Sequence, residues 1–107
     1  MWDLKYRGLV SPWTGDHSRD ISIAVPESPY ETIGANIRRI RKERGFTQEG
    51  FAQHIQLDRA YYGRIERGQQ NMSTKTILML GAHLRVDPAE FFVGITVEAC
   101  LRLLAND

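Results

Sequence analysis

At 107 residues the chain has room for one domain with its own core and a tail. Its apolar content of 42% and charged content of 25% are those of a globular protein, not of a disordered or fibrous one. No apolar run approaches the roughly 18 residues of a membrane span, and the opening MWDLKYRGLVSPW lacks the basic-then-apolar pattern of a secretory signal. The single cysteine, Cys100, excludes an internal disulfide and a paired-cysteine metal site, so a reducing cytoplasm is the expected compartment.

The net charge of +1 conceals an uneven spread. Residues 30–71 carry eight arginines and lysines against five acids, whereas the segments on either side are each slightly acidic. A local basic face matters more to a phosphate partner than the charge of the whole chain.

Residues 1–27 show no helical period and contain Gly8, Pro12, Gly15 and Pro26. Residues 21–25, ISIAV, alternate briefly and read as an edge strand or an extended arm. Trp2 and Trp13 suggest that this N-terminal arm, residues 1–28, packs on the domain or on a protein partner.

From Ser28 the texture becomes helical. Ser28-Pro29-Tyr30-Glu31 is a capping box with proline at the first helical position. Ile33, Ile37, Ile40 and Arg41 follow at helical spacing, with Arg38, Arg39 and Lys42 off that stripe. Gly45 ends this first helix as a left-handed cap. Thr47 caps a second helix over about 48–54, and Asp58 caps a third over about 59–67 that stops at Gly68. Ser73 caps a fourth, 74–84, offering Ile77, Leu78, Leu80 and Leu84 to the core. Asp87-Pro88-Ala89-Glu90 reads as another capping box, opening a short fifth helix through Phe92. Gly94 breaks the chain, and Val97, Cys100, Leu101 and Leu104 fit a further C-terminal helix over the segment 95–107, with Cys100 expected to be buried. The expected fold class is all-α: a five-helix domain over residues 29–94, flanked by the arm and the C-terminal segment.

The second and third helices are separated only by Ile55, Gln56, Leu57 and Asp58, which forces the sharp bend of a helix-turn-helix. On the third helix Leu57, Tyr61 or Tyr62, and Ile65 face inward, and Arg59, Ala60, Gly63, Arg64 and Arg67 share the opposite face. A helix fits the DNA major groove, where arginine pairs bidentately with guanine and alanine packs on a thymine methyl. Gly63 leaves space for close approach.

The residues Ile33-Gly34, Ile37-Arg38, Arg41, Gly45, Thr47-Gln48-Glu49, Phe51-Ala52, Leu57, Ile65-Glu66-Arg67-Gly68 and Leu84 with Val86 resemble the phage-repressor and Cro type of helix-turn-helix domain, the XRE family. Leu57-Asp58-Arg59-Ala60-Tyr61 followed by Ile65-Glu66-Arg67 is similar to restriction–modification controller proteins. The resemblance implies a sequence-specific transcriptional regulator, a homodimer on a palindromic double-stranded operator, in a bacterial, nucleoid-associated setting. It implies base contacts from Arg59, Ala60, Gly63 and Arg64. It implies phosphate contacts from Gln48, Tyr61, Arg67, Gln70 and Asn71, and an internal ion pair between Arg41 and Glu66. Dimerisation is expected through Phe91, Phe92, Val97, Leu101 and Leu104, from their apolar spacing near the end of a small domain. The chain departs from the pattern where Gln56 replaces the usual turn glycine, where Gly50 weakens the second helix, where Tyr62 replaces an aliphatic core residue and needs a partner for its hydroxyl, and where Gly63 replaces a common serine contact. An alternative is an interaction module, antitoxin-like or an adaptor, that uses the N-terminal arm and for which DNA is secondary.

No nucleophile–base constellation, glycine-rich phosphate loop or carboxylate pair supports an enzyme. His17, His54 and His83 lack ligand spacing, so neither a metal nor a cofactor is expected.

Overall fold

Four side chains start four helices. Ser28, Thr47, Asp58 and Ser73 each accept a hydrogen bond from an amide two or three residues ahead, at 3.0, 2.9, 3.0 and 3.1 Å. Each thereby satisfies a donor that the first helical turn leaves without a backbone partner. The computed structural model describes residues 28–105. They form α1 (Pro29–Glu43), α2 (Gln48–His54), α3 (Arg59–Glu66), α4 (Thr74–Leu84), a 3-10 turn (Pro88–Phe92) and α5 (Val97–Ala105), with no strand among them. The strand expected at 21–25 and the packing expected of Trp2 and Trp13 lie outside the described residues.

The short fifth helix forms at its expected place as a 3-10 helix, and the capping box is corrected: Asp87 makes no side-chain cap. The amide that a capping box would give to Asp87 belongs to Glu90, and it already donates to the Asp87 carbonyl at 2.9 Å. A 3-10 turn closes on the third residue, so it consumes that donor itself.

The helix ends share one device. After α1, α2, α3 and α4 the chain reverses through a residue with positive φ: Gly45 (85°), Gln56 (61°), Gly68 (74°) and Arg85 (55°). In each case its amide and the next one bond back to the final turn of the helix. After α2, Gln56 N donates to Gln53 O at 3.1 Å and Leu57 N to Ala52 O at 2.9 Å, the two bonds of a Schellman turn. Gln56 occupies the left-handed region that glycine enters without steric cost. Gln56→Gly is therefore expected to stabilise the domain by about 0.5–1 kcal/mol, read from urea unfolding, the glycine's greater unfolded-state freedom offsetting part of the relief.

The core is centred on Ile37, Phe51, Tyr62, Ile65, Leu80, Leu84 and Phe91, all essentially inaccessible, with Ile33, Ile40, Ala52 and Ile55 buried around them. Each such side chain contributes roughly 1.5–3 kcal/mol of burial. α1 crosses the domain and touches α2, α3, the 3-10 turn and α5. Gly34 permits the closest of these crossings: a Cβ there would lie 2.5 Å from the carbonyl oxygens of Ile65 and Glu66. Asn36 Nδ2 ties α1 to the 3-10 turn, donating to Phe91 O (3.0 Å) and Val93 O (2.8 Å). Arg44 closes the far end of α4, donating from Nε to Leu84 O (2.8 Å).

Three burial expectations are corrected. Leu78 is 54% exposed, because the inward stripe of α4 passes through Leu80 and Leu84, a turn apart, and Leu78 falls outside it. Cys100 is exposed, because α5 turns Ala99 inward instead. Phe91, expected at a dimer surface, is fully buried and fills the core beneath the 3-10 turn; its neighbour Phe92 is exposed.

Candidate nucleic-acid interface

The sharp turn through Ile55, Gln56, Leu57 and Asp58 sets α3 against α2. Edge-to-face packing of Phe51 on Tyr62, with centroids 5.5 Å apart, locks the pair of helices together. α3 buries Tyr62, Ile65 and Glu66 and exposes Arg59, Ala60 and Arg64, and Arg67, which caps its C-terminal end, is exposed as well.

Beneath the exposed face lies a buried polar node on the Glu66 carboxylate. Arg41 grips it with two bonds, Nε to Oε2 at 2.6 Å and Nη2 to Oε1 at 3.0 Å. The third arm of the guanidinium, Nη1, donates to Phe46 O at 2.7 Å. The Tyr62 hydroxyl donates to Glu66 Oε2, which supplies the partner that this replacement of an aliphatic residue requires. Gln48 Nε2 donates to Glu66 Oε1 at 3.0 Å. Burial alone would raise the Glu66 pKa, but the hydrogen bonds from Arg41, Tyr62 and Gln48 outweigh it and hold the carboxyl below its ordinary value. The hydrogen bond to Glu66 raises Arg41 above its ordinary value despite burial. Burial, reinforced by the neighbouring carboxylate, pushes the Tyr62 phenol up. All three groups therefore hold one charge state across the neutral range. The node fixes the start of α2 to the end of α3 and so sets the pose of the exposed face.

On that face Arg59 extends from the first turn of α3 and pairs with Glu49 of α2 at 3.7 Å, both side chains more than two-thirds exposed. An ion pair so exposed contributes little stability, and it leaves the guanidinium available. Arg64 donates from Nε to Gln70 Oε1 at 3.2 Å and stands over the Tyr61 ring, 5.8 Å from its centroid. Arg67 donates to Gln69 Oε1 at 3.1 Å. Its guanidinium lies over Gly63, which is buried: a Cβ at Gly63 would meet Arg67 Nη1 at 3.1 Å. The open approach at Gly63 read from the sequence is thus covered in the free molecule. Asn71 is exposed in the turn after α3, and Gln70 is half-buried beside it. Gln48 sits at the first position of α2, where helix N–H groups favour an anion, but one of its two amide protons is already committed to Glu66.

One feature came from tertiary structure alone: Glu49 contributes a carboxylate to the exposed face of α3. His54 and His83, distant in sequence, meet edge to face with centroids 5.6 Å apart. No group of three metal-ligating side chains occurs among the described residues. No described helix is long and apolar enough to cross a membrane.

The residues that build this site match known proteins. Residues 37–91 match the family model described as helix-turn-helix. The control protein C.MunI of a Mycoplasma species is 38% identical over 67 residues, covering 62% of this chain and 90% of that protein. The HTH-type transcriptional regulator YqaF of Bacillus subtilis is 37% identical over 62 residues, covering 58% of this chain and 82% of its own length. Among solved structures, the restriction–modification controller protein C.AhdI from Aeromonas hydrophila superposes with a TM-score of 0.55 at 40% identity, over 59% of this chain and 96% of its own. The chain belongs to the helix-turn-helix family, in its phage-repressor (XRE) type of DNA-binding transcriptional regulators, and is similar within it to restriction–modification controller proteins.

Proposed function

We propose that the protein acts as a homodimer, inserting α3 of each protomer into the major groove of one half of a palindromic operator, the two half-sites about one helical turn apart. The observation that carries this reading is the disposition of α3. Its inner side is locked by Tyr62, Ile65 and the Glu66 node, and Arg59, Ala60 and Arg64 stand exposed on its outer side. Arg59 and Arg64 are the guanine readers, and Ala60 packs on a thymine methyl. Gly63 opens to the bases when Arg67 swings to the backbone. Gln48, Tyr61, Arg67, Gln70 and Asn71 meet phosphates and set the register of the helix in the groove.

An exposed apolar stripe supports dimerisation. Val97, Leu101 and Leu104 are 67, 57 and 69% exposed and lie at i, i+4 and i+7 along α5, with Phe92 and Val93 exposed just before them. Such a stripe on a small domain is most stable when covered. Bound over a promoter, the dimer acts by occupancy, blocking or recruiting polymerase. The likeness to C.MunI and C.AhdI supports a controller-type role in a restriction–modification system.

Selection of the purified protein on random duplex DNA, run at two salt concentrations and repeated with Arg59→Ala, tests the reading. Wild type is expected to enrich a palindrome, with affinity falling steeply as salt rises. Arg59→Ala is expected to lose the guanine preference at one position per half-site, at a cost of about 1–3 kcal/mol per contact. Enrichment of no site, with weak binding even at low salt, would overturn it.

A further inference from the structure

Six of the eight cationic side chains between residues 30 and 71 are held by the protein itself. Arg41 is buried on Glu66. Arg44 caps the carbonyl end of α4, and Arg39 pairs with Glu43 at 3.4 Å. Arg59, Arg64 and Arg67 contact Glu49, Gln70 and Gln69. The two that remain are Arg38 and Lys42, one turn apart on α1. Both are exposed, and neither is hydrogen-bonded or ion-paired to another described side chain.

These two cations line one open groove of about 480 Å³, together with Ala35, Arg39, Glu43 and Glu66. Its inner wall is Glu66, the last residue of α3, whose carboxylate is already neutralised by Arg41 and also bonded by Tyr62 and Gln48. The groove therefore opens beside the C-terminal end of the reading helix and the N-terminal end of α2. The small Ala35 lies one turn before Arg38 and leaves that end of the groove open. Two unpaired, solvated cations at i and i+4 around a shallow concavity suit an oxyanion that keeps part of its own hydration, and a run of phosphates more than a buried ligand.

We propose that Arg38 and Lys42 form an additional phosphate site on α1, which takes the backbone of the duplex flanking the bases read by α3. The site rests on the DNA-binding reading above and extends the contacted length of DNA beyond the two helices of the helix-turn-helix. It carries no base information, so it raises affinity for operator and for unrelated duplex by the same factor.

The test compares the full chain with the Arg38→Ala/Lys42→Ala double variant and with the charge-conserving Arg38→Lys. Dissociation constants are measured on the selected operator and on an unrelated duplex across a series of salt concentrations. The double variant is expected to weaken both by a similar factor, on the order of tenfold at low salt. The slope of log affinity against log salt is expected to become shallower by about 2, one released counterion per lost phosphate contact. Arg38→Lys is expected to keep the wild-type slope, and the urea midpoint of all variants is expected to be unchanged because both side chains are exposed. If wild type and Arg59→Ala behave as described above while the double variant keeps the full slope and an affinity within twofold, the α1 site is overturned and the regulator reading stands. If wild type binds no duplex at all, both fall together.

Discussion

Glu66→Gln is expected to destabilise the domain by about 3–5 kcal/mol, a large share of the total stability of a chain this size. The substitution is nearly isosteric, so it opens no cavity. What it removes is the charge that compensates the buried Arg41 guanidinium, which is only 4% exposed. A neutral amide oxygen accepts one of the two bonds from Arg41, and the amide nitrogen, in place of the other oxygen, then faces the second Arg41 donor together with either the Tyr62 hydroxyl or the Gln48 amide. Urea unfolding monitored by circular dichroism gives the cost directly. The triple change Arg41→Met/Tyr62→Phe/Glu66→Leu, which removes the charges and the hydroxyl together, is expected to recover much of it, since the penalty lies in the unpaired charge and not in the lost pair. A cost below 1 kcal/mol for Glu66→Gln alone would show that the node is not structurally important.

The same comparison has a defined pH dependence. The Glu66 pKa is lowered in the folded state from its ordinary 4.5. A depressed carboxyl contributes stability that is fully present above the unfolded value and is lost as pH falls through the folded one. The stability difference between wild type and Glu66→Gln should therefore be constant at neutral pH and shrink only below about 4.5, because the glutamine cannot titrate. The node also orients Gln48 at the start of α2. The variant is thus expected to lose DNA affinity under conditions where it remains folded.

Which parts of this molecule were legible in the sequence follows from how local each determinant is. The caps at Ser28, Thr47, Asp58 and Ser73 were readable because the acceptor and its amide lie within three residues of each other. The glycine stops at Gly45 and Gly68 were readable for the same reason, whereas Arg85 adopts the same left-handed turn with no compositional signal. The Asp87 motif misled because a 3-10 turn and an α-helix share their opening residues and differ only in which carbonyl takes the third amide. Hydrophobicity alone points Leu78 and Cys100 to the core, but burial depends on the rotational phase of α4 and α5, which is set by partners distant in sequence. On the outer face of α3, the exposure of Arg59 and Arg64 follows from helical periodicity. The pairing of Arg59 with Glu49 and the use of Gln48 on Glu66 are contacts between elements, and no spacing rule encodes them, whereas the cover that Arg67 lays over Gly63 is an i, i+4 contact that helical spacing offers.

Gly34→Ala is expected to cost about 3 kcal/mol, at the upper end for an overpacked core, although alanine is the better helix former by about 1 kcal/mol. The added methyl would sit 2.5 Å from the carbonyl oxygens of both Ile65 and Glu66. Those oxygens belong to the backbone of α3 and cannot rotate away, so relief requires α1 and α3 to separate. Separation strains the Arg41–Glu66 bonds, which span the same two helices. Gly50→Ala provides the contrast. A Cβ at Gly50 meets only the Thr47 Oγ1, at 2.8 Å, the end of a side chain that can turn. Turning it sacrifices the α2 cap, worth about 1 kcal/mol, and the gain in helix propensity offsets that loss. Gly50→Ala should therefore be close to neutral in urea, while Gly34→Ala is expected to lose both stability and DNA affinity, because the helix that it displaces is the one proposed to read the bases. Equal behaviour of the two alanines would mean that helix propensity, and not the close crossing of α1 over α3, decides the tolerance of this fold for a side chain at Gly34.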